Sequence, residues 1–249
     1  MSEWIQPLSE HARNLLISKF LPEDQQEEAK ENPANKICLA HIKLGLTLSL
    51  RDPPWGENAE LADIFQEATD EAEEDGPFTL RDISLNHAEM TDLGLPIRTY
   101  ATYMGIALAT LHRELQLDGA GVRFVLGGPR EAGSEGSRAW QSLQLGNHRV
   151  WMTHLHRCRH AKANMNGLRM WKEAYWSNEG YFPRRENQIL WHFFEVAYLR
   201  ETRRIAVRRG VSAAAMMFWR ETARWFIYVA CRRGGEADEE LFLWGADMG

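Results

Sequence analysis

Four histidines and a cysteine crowd into thirteen residues: His148, His154, His156, Cys158 and His160. Neutral imidazole and thiolate are the ligands zinc prefers. On a helix, a tight site needs ligands three or four residues apart, and His156–His160 and His154–Cys158 both meet that spacing. At ~100° of rotation per residue the two pairs point about 160° apart, so they do not converge on one ion without help from elsewhere. No C-x-x-C and no H-E-x-x-H accompanies them. The spacing favours structural or RNA-contacting histidines. A zinc-dependent enzyme built on residues 148–160 is the weaker alternative. Other catalytic signatures are missing as well. There is no G-x-S-x-G, Walker A or dinucleotide fingerprint, and Glu173, Glu179, Glu186, Glu195, Glu201 and Glu221 form no obvious acid–base pair. The expectation is a protein that is not an enzyme and needs no metal or cofactor.

The second chemistry is anion binding. Tyr181 to Arg209 packs Trp191, Phe193, Phe194 and Tyr198 against a dense run of arginines. If residues 186–208 form one helix, Arg200, Arg204 and Arg208 stack on one face, with Arg203 beside them. Trp191, Phe194 and Tyr198 then make an apolar stripe toward the core. On the next helix Arg220 and Arg224 repeat the i, i+4 spacing, and Arg157 and Arg159 flank Cys158 on the one before. Three helices offering arginine in this way would line a groove that neutralises phosphates without reading bases. Trp176 and Tyr181 would stack on unpaired bases beside it. The bland reading is a helix bundle with a basic exterior.

Charge is distributed to match. The chain of 249 residues carries a formal net charge of −6. Residues 1–100 hold 8 Lys+Arg against 20 Asp+Glu, residues 101–235 hold 21 against 10, and residues 236–249 hold none against 5. In the middle segment only Lys162 and Lys172 are lysine. Arginine dominates where planar, bidentate contact to phosphate or carboxylate matters. Three scattered cysteines, Cys38, Cys158 and Cys231, are too few for a disulfide framework and point to a reducing compartment. No run of about 18 apolar residues spans a membrane, and MSEWIQPLSE lacks the pattern of a signal peptide.

The elements that position these residues follow from periodicity and breakers. Residues 3–20 predict a helix after Pro7, and LPEDQQEEAKENPANK reads as a polar linker. Ile37 to Leu50 predicts an apolar helix stopped at Asp52-Pro53-Pro54. Glu57 to Glu74 predicts an acidic amphipathic helix, and Thr79 to Asn86 a shorter one. Pro96 to Leu117 predicts a long helix, Gly119 to Gly128 a short strand, and residues 129–140 a loop. Further helices are expected near 151–176, 186–208 and 213–232, with breaks near Ser177–Pro183 and at Gly210. The fold expected is mainly α: a helical-bundle core with extended N- and C-terminal arms, and at most a short β element near 120–126. Residues 1–92 would be an acidic N-terminal arm and subdomain, 93–235 a basic RNA-binding core, and 236–249 an acidic tail.

Within that core, residues 181–217 resemble the coat proteins of flexuous filamentous plant viruses, particularly those of the potyvirus type. Tyr181-Phe182-Pro183-Arg184 is similar to their Tyr-Met-Pro-Arg, and Leu190-Trp191-His192-Phe193-Phe194-Glu195-Val196 to their Ala-Phe-Asp-Phe-Tyr-Glu-Val. Arg200, Arg203, Arg204 and Ala206, followed by Ala213-Ala214-Ala215, resemble their Arg- and Ala-rich helix. The likeness covers about a sixth of the chain, through short motifs with small gaps. It implies a helical filament assembled around single-stranded RNA, a homo-oligomer located in a virion and in the host cytoplasm. It also implies a core pocket where the family pairs an aspartate with an upstream arginine. His192 stands in the aspartate's place, with Glu195 as the available acid, Arg157 or Arg159 as the partner, and Asn164 or Asn166 replacing the family's serine. The alternative from a different class is a helical interaction module, a viral accessory or immune-evasion protein, that binds an acidic protein partner.

Overall fold

The 21-residue run QILWHFFEVAYLRETRRIAVR sets the architecture around the basic segment. It forms one helix, Gln188–Arg208, the longest described. Asn187 caps it by accepting from the Leu190 amide at 3.1 Å. It stops at Gly210, whose φ of 64° is the left-handed turn that glycine tolerates. The Val211 and Gly210 amides then close back on Ala206 and Val207 carbonyls. Leu190, Trp191, Phe194, Ala197, Tyr198, Thr202, Ile205 and Ala206 are all buried along it, so the predicted inward stripe Trp191/Phe194/Tyr198 is observed.

The computed structural model describes residues 5–45, 80, 83–129, 140–142, 144–178 and 180–230. Its helices are α1 Glu10–Phe20, α2 Glu23–Glu31, α3 His87–Asp92, α4 Ile97–Thr110, α5 Met165–Ser177, α6 Gln188–Arg208 and α7 Ala213–Ala230. The strands are β1 Ala40–Lys43, β2 Ser84–Asn86, β3 Arg123–Gly127, β4 Trp140–Ser142 and β5 Gly146–Thr153. They lie in the order β2-β1-β3-β5-β4, and β4 pairs antiparallel with β5, Trp140 opposite His148 and Ser142 opposite Gly146. The protein is mainly α with a small sheet.

Among the described residues there are two compact units. One takes positions 5–41, 80–95 and 126–149. It holds α1, capped by Ser9, and α3, opened by a reciprocal Asn86–Glu89 capping box. The other takes positions 42–45, 96–125 and 150–230 and contains α4 to α7. Here α4 and α7 pack on α6, and α5 packs on α7. The approach of α4 to α6 is very close: a Cβ on Gly105 would lie 2.4 Å from the Phe194 carbonyl oxygen.

An aromatic cluster fills this second unit. Trp171, Tyr175, Phe182, Phe194, Tyr198 and Phe226 are all essentially buried. His112 stacks face to face on Trp171 with centroids 4.1 Å apart. Its Nδ1 lies 2.9 Å from the Tyr198 hydroxyl and its Nε2 3.4 Å from the Asp118 carbonyl. Burial, with Arg113 next to it, holds the imidazole well below the ordinary histidine value of 6.5. The unfolded chain therefore binds a proton below about pH 6.5 that the folded chain refuses, and stability falls as pH falls through that value. Urea unfolding is expected to lose stability from this group as pH falls from 7 to 5, the slope approaching its one-proton limit of about 1.4 kcal/mol per unit only below about pH 6. The variant His112→Gln should lack that component.

Several sequence expectations are corrected. The residues taken as a polar linker include α2, whose one buried side chain, Ala29, gives almost no amphipathic signal. Within Ile37 to Leu50 the described part is strand, not helix. Ala40, His41 and Ile42 are all buried, and an apolar run that short carries no period separating strand from helix. Within the helix predicted at Thr79–Asn86, Ser84–Asn86 is β2, and a helix begins only after Asn86. The single β element near 120–126 exists as β3, but four other strands join it. The predicted helix over 151–176 is present only in its second half. β5 runs to Thr153, a short 3-10 turn covers Leu155–Arg157, and α5 starts at Met165 behind its cap Asn164. The alternation of GNHRVWMT, with its β-branched and aromatic residues, suits a strand. The helices at 3–20, 96–117, 186–208 and 213–232 are present with shifted ends. The Glu57–Glu74 helix, most of the loop 129–140 and the tail 236–249 lie outside the described residues.

Candidate nucleic-acid interface

Helices α6 and α7 meet at the Gly210 turn and leave a groove along their outer faces. Its largest section has a volume of about 590 Å³, and Arg200 and Arg203 from α6 face Arg220 and Arg224 from α7 across it. Trp219 and Thr202 also line this section. A second section of about 430 Å³ continues past Arg224 and Leu199 to Arg185, Trp191, Glu195 and Tyr228. A third, about 210 Å³, adds Trp225 and Glu221. Five arginines thus share the groove with two glutamates, and partly exposed aromatic rings lie between them.

The ion pairs decide which charges are free. Arg200 and Arg203 are exposed and make no ion pair with a described residue. Arg220 and Arg224 share one carboxylate, Glu221, at 3.2 and 3.1 Å. Arg204 is committed: it forks onto the buried Glu201 at 2.6 and 2.7 Å, which raises its already high pKa. Arg208 is held by Glu114. The stripe Arg200/Arg204/Arg208 is present on α6, but only its first member opens on the groove.

Other expected contacts fall elsewhere. Arg159 bonds Asp118 at 2.6 Å and Glu173 at 3.2 Å, and the Asp118 side chain is fully buried. That pair clamps the loop after α4, where Leu117 bridges His160. Arg157 packs its methylenes against Gly121, on the 3-10 turn and away from α6 and α7 in the chain. Asn164 caps α5, accepting from the Gly167 amide at 2.9 Å. Tyr181 is 3% exposed, which leaves no open face for a base. The Arg184 guanidinium lies over the Trp176 ring at 4.3 Å and the Tyr175 ring at 4.8 Å, so it occupies the indole face. The core pocket does not form around His192, which is exposed on α6; Glu195 lines the groove instead.

Arg185, Thr202, Trp219, Trp225 and Tyr228 are groove residues that the sequence reading passed over. The signal for three of them was present in FWRETARWFIY, where aromatic residues alternate with Arg220 and Arg224.

A family model, DUF3669, described as a zinc finger protein, matches residues 150–220, under a third of the chain. No curated protein and no solved structure matches the chain. The matched segment runs from the second half of β5 through α5 and α6 into the start of α7, and includes His154, His156, Cys158 and His160. These residues do not fit a zinc site. The His154 and His156 ring centroids lie 5.7 Å apart, a separation that two ligands of one zinc allow, but no third described ligand joins them. The Cys158 thiol donates to the Ala120 carbonyl at 3.6 Å, and burial, with the Asp118 charge, pushes it toward the protonated form. No three His, Cys, Asp or Glu side chains converge among the described residues. No described helix is long and apolar enough to cross a membrane.

Proposed function

We propose that this protein binds single-stranded RNA through its phosphates, without reading sequence, in the groove between α6 and α7. One observation carries the reading: Arg185, Arg200, Arg203, Arg220 and Arg224 line a continuous groove, with Trp219, Trp225 and Tyr228 between them. Guanidinium groups spaced along a channel neutralise a phosphate backbone, and interleaved rings stack on unpaired bases. An acidic protein segment would satisfy the same arginines but makes no use of the rings. In this reading α4 to α7 are the helical core that carries the groove, and the acidic residues before 93 and after 235 are its arms. The protein acts as a binder, not as a catalyst.

Binding of an RNA oligonucleotide measured against salt tests the proposal. Three or four neutralised phosphates give a slope of roughly −2 to −3 in log K against log salt. An affinity unchanged between low and high salt sinks it.

Encapsidation in a filament, which the resemblance implies, is a larger proposal and rests on the resemblance alone. Two of its premises stand differently here: His192 is exposed, and Gly146–Arg157 is strand and turn. Electron micrographs of the protein mixed with RNA test it. Filaments are the expected image, and discrete small complexes would confine the protein to binding.

A further inference from the structure

Against the same groove lies a charge that no described carboxylate answers. Arg113 leaves α4 on a π turn, Leu111–Leu115, and is 2% exposed. Its guanidinium sits between two indoles, 5.1 Å from the Trp171 ring and 5.5 Å from the Trp219 ring. Nε, Nη1 and Nη2 are buried with no described acceptor in good hydrogen-bond geometry. The neutral Tyr198 hydroxyl lies within reach of the guanidinium as a polar partner, and no described carboxylate does. Thr202 is 2% exposed, and its Oγ1 is also buried without a partner. Thr202 and Trp219 both line the groove, and Trp219 touches both the groove and the Arg113 guanidinium. Cation–π contact with two rings compensates a buried guanidinium incompletely, and the unsatisfied Thr202 hydroxyl on the groove wall carries its own cost.

We propose that the inner end of the groove is a subsite for a terminal phosphate group. Trp219 turns aside, Arg113 pairs with the dianion, and Thr202 donates its hydroxyl to a phosphate oxygen. Arg203 and Arg220 hold the remaining charge at the mouth. A backbone phosphodiester is tethered on both sides and stays at the mouth, whereas a terminal group can enter. The inference rests on the groove being the RNA site and adds a preference for RNA carrying an end phosphate.

The test uses the full chain and two ribo-oligonucleotides of one sequence, roughly eight nucleotides long, one with a 5′-phosphate and one with a 5′-hydroxyl. The phosphorylated form is expected to bind about tenfold tighter. Thr202→Val should erase most of that preference and keep the fold, because the hydroxyl has no partner to lose. Arg113→Met should erase the preference entirely; if it does not fold, Thr202→Val carries the test. Equal affinities for the two oligonucleotides overturn the subsite and leave the RNA groove standing. If neither oligonucleotide binds, but inorganic phosphate stabilises the wild type and not Thr202→Val, the RNA reading falls and the subsite stands. If Asp/Glu→Asn/Gln changes in 236–249 destabilise the chain and phosphate does not protect it, the Arg113 counter-charge belongs to the chain itself and the subsite is overturned.

Discussion

Reversing two charges, Arg200→Glu with Arg203→Glu, is expected to weaken single-stranded RNA binding by about 100-fold at moderate salt and to flatten the salt slope by about 1.4. The size follows from position. Both guanidiniums are exposed, both line the widest section of the groove, and neither is paired with a described carboxylate. Each therefore meets a phosphate at full charge, and a glutamate in its place repels that phosphate. The contrasting pair is Arg204→Gln with Arg208→Gln. Those arginines are already satisfied by Glu201 and Glu114, so their loss should change RNA affinity by no more than about threefold. Fluorescence anisotropy on both variants, with circular dichroism to show that each is folded, checks the pair of outcomes. If the 204/208 variant loses as much affinity as the 200/203 variant, the groove is drawn on the wrong face of α6.

The second large effect is on stability. Gly105→Ala in α4 should destabilise the protein by about 2 kcal/mol or more, although alanine is the better helix former by about 1 kcal/mol. An added Cβ would lie 2.4 Å from the Phe194 carbonyl oxygen, 3.1 Å from the Ala197 Cβ and 3.1 Å from the Tyr198 amide nitrogen. Two of those three atoms are helix backbone, which cannot rotate away as the end of a side chain does. α4 must then back away from α6, and the buried contacts of Tyr198 and Phe194 loosen with it. Urea unfolding of the variant measures the change. A midpoint equal to or above that of the parent would mean that α4 and α6 do not approach this closely.

What the sequence showed of the site was its supply of charge and the helix that carries it. Capping asparagine, apolar stripe and glycine stop all act within one helical segment, so Gln188–Arg208 was legible to within two residues. Which arginines are free was not legible. Arg204 and Arg208 share spacing with Arg200, yet one is neutralised three residues away and the other by Glu114, ninety-four residues distant. Helical spacing says which side chains share a face and is silent on what waits opposite. The histidine cluster failed for a related reason. Its i, i+4 arithmetic assumed a helix over 151–160, where β5 instead runs to Thr153, His154 turns left-handed and a 3-10 turn covers Leu155–Arg157.

Arg113 marks the same division most sharply. LHREL falls inside the helix predicted over Pro96 to Leu117, and nothing in its local pattern tells where Arg113 points. The chain by itself determined that residues 101–235 are basic, that two long arginine-bearing helices meet at Gly210, and that aromatic residues supply their core; these follow from composition and local periodicity. The tertiary structure alone decided that Arg113 turns inward between Trp171 and Trp219, that Arg200 and Arg203 meet no described carboxylate, and that α6 and α7 leave a groove between them. Those outcomes depend on contacts between residues far apart in sequence, and packing against a distant neighbour overrides what any local pattern prefers.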